Sequence, residues 1–239
     1  MDHKEVIKLL FKCGMKLEAK SETISTAAIY YHQFSRLHHN TINLYDQVLI
    51  ASTAIYLAGK VMEDQLMIRD IINVFYLSVN KDKKETLDLN QDYWSLRDSI
   101  VQFELLLLRS LQFKVSTHKT PHRYLVNFLN SISEWMINDN QMKKLSITSW
   151  ALLNDYHLDQ RILDDQPHHI AIAVIELALQ CLDIKIPYND DALLSWNEAL
   201  CESLTKDKIN QIISQMISLF DQQLKRDTDM QRNYIPQQV

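Results

Sequence analysis

Apolar residues recur every three or four positions along almost the whole chain, which is the spacing of one buried helix face. Val6, Leu9, Leu10, Cys13 and Leu17 mark a first amphipathic helix. Ile24, Ala27, Ala28, Tyr31 and Phe34 mark a second, with Ser21 placed to cap it. The third, Tyr45 to Glu63, is apolar nearly all round its middle, and a helix of that kind is normally enclosed by others. A fourth is predicted over Ile68 to Val79 and a fifth from Gln91 to about Phe113, with the polar stretch Asn80 to Asn90 as a loop between them.

The pattern then restarts. Residues 116–120 read as a linker, and Pro121 suits the first turn of a helix carrying Leu125, Phe128, Leu129 and Ile132. Further helices are expected over Met142 to Leu158, from Pro167, and over Asp190 to Leu204. A last one, capped by Thr205, carries Ile209, Ile212, Ile213, Met216, Ile217 and Phe220. The segment from Ile170 to Leu179 repeats the all-apolar character of the third helix, and Val48–Val61 lines up with His169–Leu182. The reading is an all-α chain of two tandem five-helix repeats, each with a buried third helix. The repeats are placed at residues 1–115 and 116–226, followed by a polar, frayed tail at 227–239.

Composition agrees with helices joined by short polar loops: Gly occurs 2 times and Pro 4 times in 239 residues. The net charge of −5 argues against duplex nucleic acid as the main partner, because phosphate neutralisation needs a basic face. Cys13, Cys181 and Cys201 are odd in number and far apart, so they read as buried thiols in a reducing compartment. There is no signal-type start and no apolar run long enough to span a membrane, which predicts an intracellular protein, nuclear or cytoplasmic.

No phosphate loop, zinc-protease motif or nucleophile elbow is present, so neither an enzyme nor a cofactor is expected. Asp164 and Asp165 read as charges favourable to the helix that Pro167 opens. The histidines His32, His38, His39, His157, His168 and His169 lack close cysteines other than Cys181, and no metal site is expected. His38 and His39 fit the C-terminal end of the second helix. The four tryptophans fit core or rim positions, with Trp94, beside the polar loop, a possible surface anchor.

Glu104 is the most informative single residue. Ile100, Val101, Leu107 and Leu108 surround it at helical spacing, and a carboxylate on such a stripe needs a partner. Either a basic group of this chain or a solvent edge satisfies it, or the stripe is partly an interface whose cation comes from elsewhere. Lys60 sits near a helix C-terminus, within reach of Glu63 or Asp64. Gly59 beside it suggests close backbone approach, inside the bundle or to a partner.

Three features together resemble the cyclin box of the transcription-associated cyclins. The first is the repeated five-helix plan. The second is Tyr56–Leu57–Ala58–Gly59–Lys60–Val61–Met62–Glu63 at the end of the third helix. The third is Phe103–Glu104–Leu105–Leu106–Leu107–Leu108–Arg109–Ser110–Leu111–Gln112–Phe113 in the fifth. Arg69 to Val74, Leu96 to Gln102 and His168 to Val174 extend the likeness over roughly residues 5 to 225. The resemblance implies a non-catalytic subunit that binds and activates a cyclin-dependent kinase, cyclin-dependent kinase 10 being the specific expectation. It assigns Lys60 and Glu104 as anchors on the kinase C-helix, with Val61, Leu108, Phe113 and Val115 as the apolar contacts. Glu5 to Leu10 stand where cell-cycle cyclins carry Met-Arg-x-x-Leu, so substrate docking there is not expected, and no Arg-x-x-Leu destruction box is present. The alternatives are a DNA-binding transcription factor of the same fold and a kinase-independent helical adaptor. The first would need a segregated basic groove. The second would tolerate charge reversal at Lys60 and Glu104.

Overall fold

The computed structural model describes residues 2–83, 85–115, 120–136, 138–186 and 195–233. Among these the chain is all-α, with ten α-helices, two short 3-10 turns and no strand. It divides into two compact units, Met1–Thr120 and Pro121–Val239, with five helices in each.

In the first unit the helices are α1 (His3–Lys16), α2 (Ser21–Leu37), α3 (Gln47–Val61), α4 (Ile68–Val79) and α5 (Gln91–Ser110). Helix α3 packs against α1, α2, α4 and α5. Ile50, Ala51, Ala54, Ile55 and Ala58 are each fully buried, which accounts for its all-round apolar sequence. Polar side chains set where helices start. Asp46 caps α3 by accepting from the Val48 amide at 2.9 Å, and Asn90 caps α5 by accepting from Tyr93 at 3.1 Å. Ser21 is the first helical residue of α2 rather than its cap. That end is instead held by Asp64, which accepts from the Lys20 amide at 2.9 Å and the Thr23 hydroxyl at 2.8 Å.

In the second unit the helices are α6 (Pro121–Trp135), α7 (Asp139–Tyr156), α8 (Pro167–Leu182), α9 (Trp196–Leu200) and α10 (Lys206–Asn233). Helix α8 takes the central place and packs on α6, α7 and α10. Pro167 opens it, at a position whose amide has no helical partner to lose. Thr205 accepts from the Lys208 amide at 3.3 Å at the start of α10. Helix α9 is a single short piece, and the expected first turns from Asp190 fall in residues 187–194, outside the described residues. So does the linker at 116–119. The expected tail from 227 is helical as far as Asn233, and residues 234–239 lie outside the description.

The cysteines differ from their sequence reading. Cys13 is buried, but Cys181 is exposed and Cys201 half-buried, because both stand on surface-facing positions of the second unit. Asp165 also departs from a simple helix-end charge: its buried carboxylate pairs with Lys208 at 2.5 Å.

Candidate functional site

Lys60 lies in the last turn of α3, and Glu104 lies in the C-terminal half of α5, the helix packed beside it. The Lys60 ammonium donates to both Glu104 carboxylate oxygens at 2.8 Å. Glu104 therefore finds its cation within its own unit. Lys60 passes over Glu63 and Asp64, the neighbours its sequence offered. The Glu104 side chain keeps 13% of its exposure and Lys60 keeps 50%, so the pair sits at the surface with its acid half tucked in. The ammonium also lies 4.1 Å from the centre of the Tyr56 ring. Partial burial disfavours the charged lysine. The Glu104 carboxylate and Tyr56 outweigh it, and the Lys60 pKa stands above its ordinary value.

The four apolar neighbours of Glu104 divide between two faces. Ile100 and Leu107 enter the core at 2% and 0% exposure. Val101 and Leu105 are both 45% exposed, and Leu108 is half-buried. Residues 101, 104, 105 and 108 follow helical spacing, so they form one outward stripe with the carboxylate inside it. Leu105 escaped the sequence-level selection, although its spacing from Val101 and Leu108 carried the signal.

The stripe ends in an unusual turn. Gln112 and Phe113 have φ of 53° and 56°, a left-handed conformation costly for residues with a side chain. The Phe113 amide bonds back to the Leu108 carbonyl at 2.9 Å, closing the helix end, and the Phe113 ring is left 61% exposed. Val61 and Val115 are half-buried. The six residues selected from sequence thus fall at the C-terminal ends of α3 and α5 and the turn after α5. None of them lines the apolar cleft of about 280 Å³ formed by Val48, Leu49, Ile72, Phe75, Leu96 and Ile100.

Gly59 explains part of this placement. A Cβ there would come 3.2 Å from Leu66 Cδ1 and 3.3 Å from the Asp64 carbonyl oxygen. The structure shows this close approach to the chain's own return from α3. The Asp64 amide bonds to the Gly59 carbonyl at 2.8 Å, with Glu63 at φ 52° making the turn.

Elsewhere, Trp94 is 47% exposed with the Arg97 guanidinium 5.6 Å from its ring. His38 caps the end of α2, lies tilted against Phe34 with ring centres 4.4 Å apart, and bonds to the Ser110 hydroxyl at 3.0 Å. In the second unit the fold joins residues that sequence distance kept apart: ligand atoms of His168, His169 and Cys201 lie within 4.8 Å of one another. The sequence reading offered this histidine pair only Cys181. The cysteine that approaches it lies beyond α8 and α9, a contact only the fold creates.

Residues 3–116 match the family model of the cyclin N-terminal domain. The chain is 28% identical to Cyclin-T1-5 of Arabidopsis thaliana over 212 residues, covering 87% of this chain and 34% of that protein. It is 27% identical to human Cyclin-L2 over 215 residues, covering 89% of this chain and 39% of the relative. The chain thus spans about a third to two fifths of the length of these curated relatives. Among solved structures, a chain of the yeast RNA Pol II CTD kinase CTDK-1 complex superposes with a TM-score of 0.68 at 19% identity, covering 91% of this chain and 64% of the other. That likeness extends to the fold. It supports the reading of all-α cyclin-box repeats.

Proposed function

We propose that this chain, which carries a cyclin N-terminal domain over residues 3–116, is a cyclin of the transcription type that binds and activates a cyclin-dependent kinase. The observation that carries this reading is the exposed apolar stripe Val101–Leu105–Leu108, continued by Phe113 and set around the Lys60–Glu104 pair. Exposed apolar side chains held on rigid helices are what a partner's helix buries, and a preformed charge pair among them fixes its register. The kinase complex named for the structural neighbour supports a kinase as that partner.

In this reading the ends of α3 and α5 pack on the kinase C-helix. Lys60 and Glu104 anchor it, and Val61, Leu108, Phe113 and Val115 supply the apolar contact. Holding that helix inward lets its glutamate pair with the ATP-binding lysine, as phosphoryl transfer requires. The cyclin contributes no catalytic group; its binding energy shifts the kinase between inactive and active populations. The finer reading is a protein of the cyclin Q kind whose partner is cyclin-dependent kinase 10. It rests on the stretches Ala58–Val61, Arg69–Val74, Leu96–Gln102 and His168–Val174. The second unit offers surface to other partners.

The test is a pull-down of purified cyclin-dependent kinases, kinase 10 among them, by the full chain, scored for retention and for kinase activity. Retention with activation by kinase 10 is the expected result. Retention of a different kinase would keep the cyclin reading and discard the finer one. A folded chain that retains no kinase would overturn both.

A further inference from the structure

The strongest unassigned cluster of metal-binding side chains lies in the second unit, outside the residues matched by the cyclin N-terminal domain. Pro167 starts α8 and places His168 and His169 in its first turn, where both are half-buried. The short helix α9 ends at Leu200, and Cys201 follows with an extended backbone, φ −155° and ψ 100°, half-buried against the same helix end. One ligand atom from each of the three residues lies within 4.8 Å of the others. The Ser203 hydroxyl stands beside them, 3.3 Å from Cys201 Sγ and 3.5 Å from His169 Nε2.

We propose that His168, His169 and Cys201 form a binding site for a borderline-soft divalent cation, zinc in the first instance, with an oxygen completing the shell. Two imidazoles and a thiolate are donors that zinc accepts, and a fourth position left to water or a hydroxyl is familiar for three-ligand sites. Zinc imposes no geometric preference through its d-electrons, so it suits donors that only the meeting of two surface segments brings together. Tetrahedral bonds of about 2.0–2.3 Å need ligand atoms roughly 3.5 Å apart. The three groups must therefore draw in by about an ångström, which half-exposed side chains on a helix end and a loop can do. Binding takes the proton of the Cys201 thiol, forms a sulfur–zinc bond and releases that proton to solvent.

The surroundings bear on the charge. The positive end of the α8 dipole and the Lys208 ammonium oppose a cation, whereas the Cys201 thiolate and the Asp165 carboxylate favour it. Bound zinc would tie the α9–α10 connection to the start of the central helix α8.

The experiment uses the full chain, freed of metal and kept reduced, titrated with zinc against a chromophoric chelator and separately with cobalt(II). One equivalent of zinc is expected. The cobalt adduct is expected to show thiolate-to-metal charge-transfer absorption. Cys201→Ser should abolish that absorption and weaken zinc binding at least tenfold. His169→Asn should weaken zinc binding similarly while keeping the helical circular-dichroism spectrum. Cys181→Ser, at an exposed cysteine outside the cluster, should change neither. The proposal fails if the wild-type chain binds no stoichiometric zinc, if the cobalt band follows Cys181 or Cys13, or if zinc affinity survives in both site variants.

Discussion

Lys60 and Glu104 stand across the α3–α5 contact with the ammonium 2.8 Å from each carboxylate oxygen, so the acid on the apolar stripe is satisfied before any partner arrives. Half of Lys60 remains in solvent, and an ion pair this open contributes little to folding, about 0–1 kcal/mol. Glu104→Ala is therefore expected to cost about 1 kcal/mol or less in urea unfolding. The same variant should weaken kinase binding by tenfold or more. If binding fell only as far as the folded fraction fell, Glu104 would be a structural residue and the anchor assignment would be wrong.

Phe113 separates display from stability more cleanly. Its ring is 61% exposed, so Phe113→Ala should change the unfolding free energy by no more than about 0.5 kcal/mol. In the kinase pull-down it should lose retention, and Leu105→Ala should do likewise. Wild-type retention by both variants would move the interface away from the end of α5.

The left-handed turn gives an independent handle. Gln112 at φ 53° holds a conformation that costs a residue with a side chain roughly 1–2 kcal/mol. Gln112→Gly is expected to stabilise the chain by about 0.5–1 kcal/mol, part of the relief being offset by the extra freedom of glycine in the unfolded state. A loss of stability in thermal or denaturant unfolding would show that the Gln112 side chain supports the turn.

The ends of α4, at Ile68 and Val79, were legible in the sequence from amphipathic spacing, and the enclosed character of α3 and α8 from apolar runs too long for a strand. The site was legible in part. Glu104 announced itself as an acid among Ile100, Val101, Leu107 and Leu108, but periodicity alone does not say which of these face inward. Only the packing of α5 on α3 sends Ile100 and Leu107 into the core and leaves Val101, Leu105 and Leu108 outside. Lys60 was equally ambiguous, because local spacing pointed to Glu63 or Asp64 while the fold supplied Glu104 from another helix. The His168–His169–Cys201 cluster was not legible at all, since its members meet through the return of the chain after α9.

Gly14 tests the packing of α1 on α2. A Cβ there would lie 2.6 Å from Ile24 Cγ1, an atom of a β-branched side chain that is itself 5% exposed. The helix-propensity gain of Gly→Ala, about 1 kcal/mol, is then outweighed by overpacking of about 1–3 kcal/mol. Gly14→Ala should lower stability. Gly59→Ala should do less harm, because its nearest contacts are 3.2 and 3.3 Å. Equal effects in urea unfolding would mean that Ile24 repacks freely.

His122 sets an acid limit on the second unit. It is fully buried on α6, its Nε2–H donates to the Asn154 Oδ1 on α7 at 2.9 Å, and its ring lies 5.0 Å from the His157 ring. Burial pushes its pKa down to about 4 from 6.5, and the Asn154 hydrogen bond only partly opposes this. The unfolded chain thus takes up this proton before the folded chain does. The stabilisation is fully present above pH 6.5, falls as the unfolded histidine protonates, and is lost as pH approaches 4. At about 1.4 kcal/mol per pKa unit, the swing is of order 3 kcal/mol. Urea unfolding of the full chain at about pH 7, 5.5 and 4.5 should show the decline. His122→Gln, which keeps a polar group opposite Asn154, should start less stable at neutral pH and lose much of the slope. An unchanged slope in that variant would assign the acid sensitivity to other groups.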